Sequence, residues 1–342
     1  MKERVRWIDI LRAMAMFAVV LGHTVRGGEV QCYLYSFHIA LFMLISGMLA
    51  SERREGFGTF LWREFKRLLV PYFFFGLVSV IIYQVLGAVA ARALGEEFNG
   101  NLLANLGYLL YGSSKDGQME YNHPLWSLTC LFVCDLLWYL ISLLKSRLKK
   151  DGWLLPAGIA IFALLGYLNS TSWQLKLPFQ AETALVMMVF YLSGKLLKKP
   201  VSQLKISRPV KLLAAVLLIV AGGALGLYNG RVRYSADIYN NYLLFLLSAF
   251  TSIAGYLLLA QALERNRILE YVGASTMAIL VMHKFPILFF QTILPFTKSR
   301  LADNDLIIAI AVALLSIIMC LIADKVITMI WPPLLGKKTA QK

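Results

Sequence analysis

Acidic side chains are scarce in this sequence. Asp and Glu number 19 against 34 Lys and Arg, and charged residues of both signs make up only 15% of the 342 residues. Hydrophobic residues make up 59% and the mean hydropathy is +0.66, a balance that excludes an ordinary water-soluble globular protein. Cysteine is sparse as well. Cys32, Cys130, Cys134 and Cys320 all fall in apolar stretches without metal-type spacing, so they read as small buried side chains and no metal site is expected. The basic start MKERVR is not followed by a small-x-small cleavage site, and the apolar run behind it contains Arg12. It therefore reads as a retained first span and not as a cleaved signal peptide. A second soluble domain, a low-complexity tract and an obvious repeat are also missing, which predicts one integral membrane domain over 1–342.

The net charge of +15 invites a nucleic-acid reading, but the basic residues sit in short loops between apolar blocks, where they act as topology signals, so no nucleic-acid partner is expected. The blocks run to about 18–25 residues, the length that crosses a bilayer core. They predict an all-α polytopic bundle of about ten transmembrane helices, at 7–25, 30–50, 69–91, 124–144, 153–169, 181–197, 211–228, 240–262, 273–294 and 306–331. Helices are expected because lipid leaves no water for unpaired backbone groups and the blocks lack barrel-like alternation. An even number of crossings puts both termini on one side. That side collects 23 Lys and Arg, the other side 8, and three (Arg12, Lys284, Lys325) lie within spans. The bias places both termini in the cytoplasm of a cell (plasma or inner) membrane protein. Leu102–Tyr111 is apolar but too short to cross, and predicts a re-entrant or surface-lying helix. Residues 113–123 read as a polar loop.

Polar groups stand where lipid rejects them. Asp9, Arg12 and His23 lie in the first span, and His38 lies in the second with Ser46 and Gly47, small residues that permit close helix contact. Burying such charged groups costs about 2.5–3.5 kcal/mol each on insertion scales, so a chain that keeps several together usually uses them. Arg12 and His23 are eleven residues apart, three helical turns, which puts them on one face about 16 Å apart along the axis. Asp9 stands three residues before Arg12, within pairing reach. Taken alone, His23 also fits an interfacial position, with Asp9 and Arg12 as an anchor. Behind the second span, Arg63, Lys66 and Arg67 form a cytoplasmic basic stretch that positive-inside bias explains and that also suits phosphate binding.

These residues resemble the acyltransferase-3 family of integral membrane O-acyltransferases, and its fucose 4-O-acetylase-like branch in particular. The likeness runs through Asp9-Ile10-Leu11-Arg12, the pairing of Arg12 with His23, Ser36-Phe37-His38, Phe42, Ser46-Gly47 and Arg67-Leu68-Leu69-Val70-Pro71-Tyr72. It continues in Pro124-Leu125-Trp126-Ser127-Leu128, Pro178-Phe179 with Glu182, and Gly273-Ala274-Ser275 leading to His283. Where the family often shows Arg-x-x-Arg, Glu64 stands in the register that ends at Arg67. The resemblance implies an acyl-CoA donor, most often acetyl-CoA, and a hydroxyl on a sugar or glycan as acceptor.

On that reading the donor phosphates meet Arg63, Lys66 and Arg67, the pantetheine arm passes Arg12, supported by Asp9, and the thioester reaches His23. His23 serves either as general base, its free pKa being about 6.5, or as transient acyl carrier. His38, Trp126, Glu182 and Asn122 are the expected acceptor contacts. Trp126 equally fits an interfacial belt residue, Glu182 an interfacial carboxylate, and His283 with Lys284 a helix-packing or lumen-lining pair. A transporter or flippase of a glycan or lipid-linked precursor is the competing function, since many spans and intramembrane charges suit it too.

Overall fold

Backbone N–H and C=O groups in hydrocarbon must find partners within the chain, and the described residues answer with helices. The computed structural model describes residues 5–25, 27–52, 55–94, 98, 100–148, 151–293 and 306–337. Lys2, Arg4, Arg26, Arg53, Arg54, Lys149, Lys150, Lys298, Arg300, Lys338 and Lys342, which enter the charge count above, lie outside them.

The helices are α1 (Arg6–Thr24), α2 (Gly28–Leu49), α3 (Phe57–Glu64), α4 (Val70–Leu94), α5 (Leu102–Tyr111), α6 (Trp126–Arg147), α7 (Leu154–Leu168), α8 (Ala181–Ser202), α9 (Arg208–Asn229), α10 (Tyr242–Ala262), α11 (Arg267–Ala274), α12 (Thr276–Met282), α13 (Lys284–Ile293) and α14 (Leu306–Ile330). A π-helical turn, Phe65–Leu69, joins α3 to α4, and another, Asn169–Trp173, extends α7. Among the described residues the only β-type pairing is an isolated bridge between Arg233 and Ile238.

Eight of the described helical segments are long and apolar enough to cross a membrane. The two other expected spans are helical but differ in kind. Along α8, Lys195, Lys198, Lys199 and Pro200 crowd the last turns, which lowers its apolar character. The stretch 273–294 is not one helix: α11 ends at Ala274, and α12 and α13 meet at His283. Pro286 has no N–H to offer the Met282 carbonyl, the usual cause of such a break. The ladder resumes with Ile287 N donating to His283 O at 3.2 Å.

Burial follows the lipid. On α9, Leu213, Val216, Leu217 and Val220 are each 57–64% exposed, an apolar stripe that suits acyl chains and not water. The core is built instead on α1, α2, α6, α8 and α12. Helices α2 and α8 touch backbone to backbone. A Cβ on Gly47 would stand 1.8 Å from the Tyr191 carbonyl oxygen, and one on Gly194 would stand 1.9 Å from that of Leu44. The close contact expected of Gly47 is thus made, and glycine is required on both partners.

Helix α5 is the short apolar helix expected from 102–111. Its N-cap Asn101 accepts from Ala104 N at 3.0 Å, and Gly112 ends it in the left-handed region. It lies against α4, where the Tyr72 hydroxyl donates to Leu109 O at 2.7 Å. Residues 113–123 form short 3₁₀ turns that lead into α6.

Candidate active site

At the end of the bundle where α1 ends and α2 begins, helix ends and two connecting loops enclose a cavity of about 690 Å³. Val19 and His23 of α1, Tyr35, His38 and Ile39 of α2, and Lys284 of α13 form its inner wall. Residues 114–117 and 231–238, with His123, Trp126 and Ser127, close over it.

The chain has four histidines, and all four converge here. His23, His38 and His123 line the cavity, and the His283 ring lies 5.3 Å from that of His23, centroid to centroid. The tautomers of two follow from their bonds. His38 Nδ1 faces Leu34 O at 2.5 Å, and His283 Nδ1 faces Ile279 O at 2.9 Å and Leu280 O at 3.0 Å. A carbonyl only accepts, so in each ring Nδ1 carries the proton and Nε2 keeps a free lone pair. His283 Nε2 is fully buried and has no hydrogen-bond partner among the described residues. His123 Nε2 lies 3.2 Å from Ser235 Oγ. Among the described residues His23 itself makes no hydrogen bond and is only half buried, so its ring is available to a molecule in the cavity.

Of the residues singled out from sequence, His23, His38 and Trp126 are in the wall. Arg12 is not. It lies deeper on the same face of α1, where Nη2 donates to Thr276 Oγ1 at 2.6 Å and Nη1 stands 3.7 Å from Asp9 Oδ1. The eleven-residue spacing holds as geometry: Arg12 meets the start of α12 and His23 meets its end. Backbone approach makes this possible, since a Cβ on Gly273 would stand 1.9 Å from Asp9 O.

Asn122 and Glu182 lie behind the wall, completely buried. Asn122 Nδ2 donates to Ser79 Oγ and to Val281 O, each at 3.0 Å, tying α4 to α12. Glu182 accepts from Leu177 N at 3.0 Å and pairs with Lys115 Nζ at 2.9 Å. The same Nζ lies 2.6 Å from Asp237 Oδ2 and donates to Leu175 O at 3.0 Å. Burial pulls the Lys115 pKa down, but the carboxylates of Asp237 and Glu182 outweigh it, and the net direction is up. This ion triad clamps the two loops that cover the cavity. Sequence singled out Glu182 but not the triad, because its members come from three separate segments, Lys115 and Asp237 being 122 positions apart along the chain. A cation on the side that positive-inside bias disfavours is the one signal that marks Lys115, Arg231 and Arg233.

At the opposite end, Arg63 and Arg67 are engaged in ion pairs. Arg63 Nη2 lies 2.8 Å from Glu64 Oε1, and Nη1 pairs with Glu55. Arg67 Nε lies 2.5 Å from Glu64 Oε2, and Nη2 pairs with Asp135, which also accepts from the Tyr191 hydroxyl at 2.7 Å. Glu64 is thus the buried hub between two arginines. Lys66 is exposed, its Nζ 5.4 Å from the centroid of the Trp62 ring.

No group of three or more metal-binding side chains occurs among the described residues. Neither a curated protein nor a solved structure matches the chain. A family model described as an acyltransferase domain matches residues 5–325, which takes in every wall residue of the cavity and the arginine cluster. With nearly its whole length matched, this many-spanning chain belongs to the acyltransferase-3 family of membrane acyltransferases.

Proposed function

We propose that the chain, as one integral membrane domain, transfers an acetyl group from cytoplasmic acetyl-CoA to a sugar hydroxyl of an exported or cell-surface glycan. The observation that carries this is His23: an imidazole that makes no hydrogen bond among the described residues, half buried in the wall of a cavity of about 690 Å³ where α1 ends and α2 begins. By the positive-inside count this end is outside the cytoplasm, where an exported glycan is found. An acceptor hydroxyl held there donates its proton to His23 as its oxygen attacks the thioester carbonyl; the C–S bond breaks, and the leaving thiolate takes the proton from the His23 imidazolium to give coenzyme A and restore the neutral ring. General-base catalysis of this kind contributes roughly 10²–10⁴-fold. His38 and Trp126 would contact the acceptor from the same wall. Arg12, held by Thr276 and Asp9, lies three helical turns before His23 on the same helix, and on this reading the pantetheine arm would pass it. At the opposite end the exposed Lys66 would meet donor phosphate first. Arg63 and Arg67 would share phosphate with the carboxylates they already bind.

The test is radiolabelled acetyl-CoA added to membranes containing wild-type protein or His23→Ala. Label entering glycan only with wild type supports the reading. Glycan movement across the membrane without label transfer would show a transporter instead. Acid-quench trapping of labelled protein distinguishes an acyl-imidazole on His23 from general-base action.

A further inference from the structure

The charges in the cavity do not balance. Lys115, Arg231, Arg233 and Lys284 line it against a single carboxylate, Asp116. Asp116 pairs with Lys176 at the rim, and Lys115 spends its charge on Asp237 and Glu182 behind the wall. Among the described residues neither Arg231, Arg233 nor Lys284 has a carboxylate partner. Arg231 lies over the Tyr35 ring, 5.1 Å from its centroid, and a guanidinium has five N–H donors, more than its contact with Tyr35 can use. Both arginines are exposed and solvated. Lys284 is not: it is half buried, one residue after the helix break and beside the histidines.

Filling this cavity with a neutral sugar would strip water from Lys284 and return no counter-charge, which is costly in a low-dielectric site. An anion returns it, and offers the two guanidinium groups a planar or tetrahedral oxyanion to fork onto. We propose that the acceptor glycan carries a carboxylate or a phosphate near the reacting hydroxyl, and that Lys284, Arg231 and Arg233 form the subsite that holds it. The proposal rests on the acyltransferase reading above, because it takes the cavity occupant to be the acceptor.

The experiment uses purified full-length protein in neutral detergent, with glucose, glucuronate, glucose 1-phosphate and inorganic phosphate as probes, followed by calorimetric binding and by thermal stability. Glucuronate or glucose 1-phosphate should bind at least about tenfold more tightly than glucose, a difference of about 1.4 kcal/mol. The preference should disappear in Arg231→Gln/Arg233→Gln/Lys284→Gln and persist in His23→Ala. Tighter glucuronate marks a carboxylate source, tighter glucose 1-phosphate a phosphate source, and inorganic phosphate bound as well as glucose 1-phosphate would show that no glycan is being read. Equal binding of glucose, or a preference that survives in the triple variant, would overturn the subsite. So would coenzyme A displacing the probe, which would assign the cations to the donor. His23-dependent label transfer without anion preference would remove this inference and leave the acyltransferase reading intact. Anion preference without any transfer would overturn the acyltransferase reading and with it the assignment of the anion to an acceptor, leaving only an anion-binding cavity.

Discussion

His283 presents its imidazole to His23, 5.3 Å between ring centroids, from a point where α12 and α13 part. Its Nδ1 is spent on the Ile279 and Leu280 carbonyls, and its Nε2 is buried without a partner among the described residues. A ring fixed in this way restricts how the His23 imidazole turns, which predicts that His283 acts as a positioning residue.

His283→Gln should lower kcat for acyl transfer about 10–100-fold, because a small misplacement of a reacting group costs up to about 10²-fold. KM for donor and acceptor should stay within about twofold. A change confined to KM, or a variant as active as wild type, would show that the ring only packs.

His23→Ala should remove transfer altogether while the protein still inserts and reaches wild-type levels in membranes. Label incorporation and quantitative immunoblotting of the same membranes check both halves. Wild-type turnover would take His23 out of the mechanism.

Lys115→Met leaves Glu182 and Asp237 buried without their cation. Breaking a buried pair from one side costs about 3–5 kcal/mol, so the thermal midpoint should fall and transfer should fall with it as the two covering loops loosen. The pH dependence follows from the raised pKa of Lys115. A lysine whose folded pKa exceeds its unfolded value of about 10.4 contributes its stability fully below that value and loses it as pH rises through the folded pKa. Thermal stability should therefore carry the full contribution of this group, without pH dependence from it, between pH 6 and 9, and show a decline above pH 10 that Lys115→Met lacks.

Gly194→Ala places a methyl 1.9 Å from the Leu44 carbonyl oxygen. Backbone cannot turn aside as a side chain does, so α2 and α8 must separate, at about 1–3 kcal/mol or more. Because α2 carries His38, activity should fall alongside the thermal midpoint. A neutral Gly194→Ala would mean that the helices slide freely.

Arg67→Ala and Lys66→Ala separate two roles of the basic stretch. Arg67 binds the buried carboxylates of Glu64 and Asp135, so its loss should lower stability as well as raise KM for acetyl-CoA. Lys66 is exposed, and its loss should raise donor KM with the thermal midpoint unchanged. Unaltered donor kinetics in both would place the phosphates elsewhere.

Local pattern was enough for the membrane helices, because lipid imposes a length and an apolar content that any single segment displays by itself. It was also enough for Gly47 as a contact point, and for the shared face of Arg12 and His23, which needs only 3.6 residues per turn. It was not enough for the stretch 273–294. There the composition is that of one span, and the break at His283 follows from a proline whose effect depends on which carbonyl it leaves unpaired.

The cavity wall was legible only at His23, His38 and Trp126, for a different reason. Asn122 and His123 are neighbours in sequence, yet one is locked behind the wall by Ser79 and Val281 and the other faces the cavity. A turn decides which is which, and a turn has no periodicity to read. Lys115, Glu182 and Asp237 meet across three separate segments, as do His23 and His283. Hydropathy acts on each segment alone and marks which segments are long and apolar enough to cross a membrane. Which side chains share a cavity depends on how the segments pack against one another, and only tertiary contact settles that.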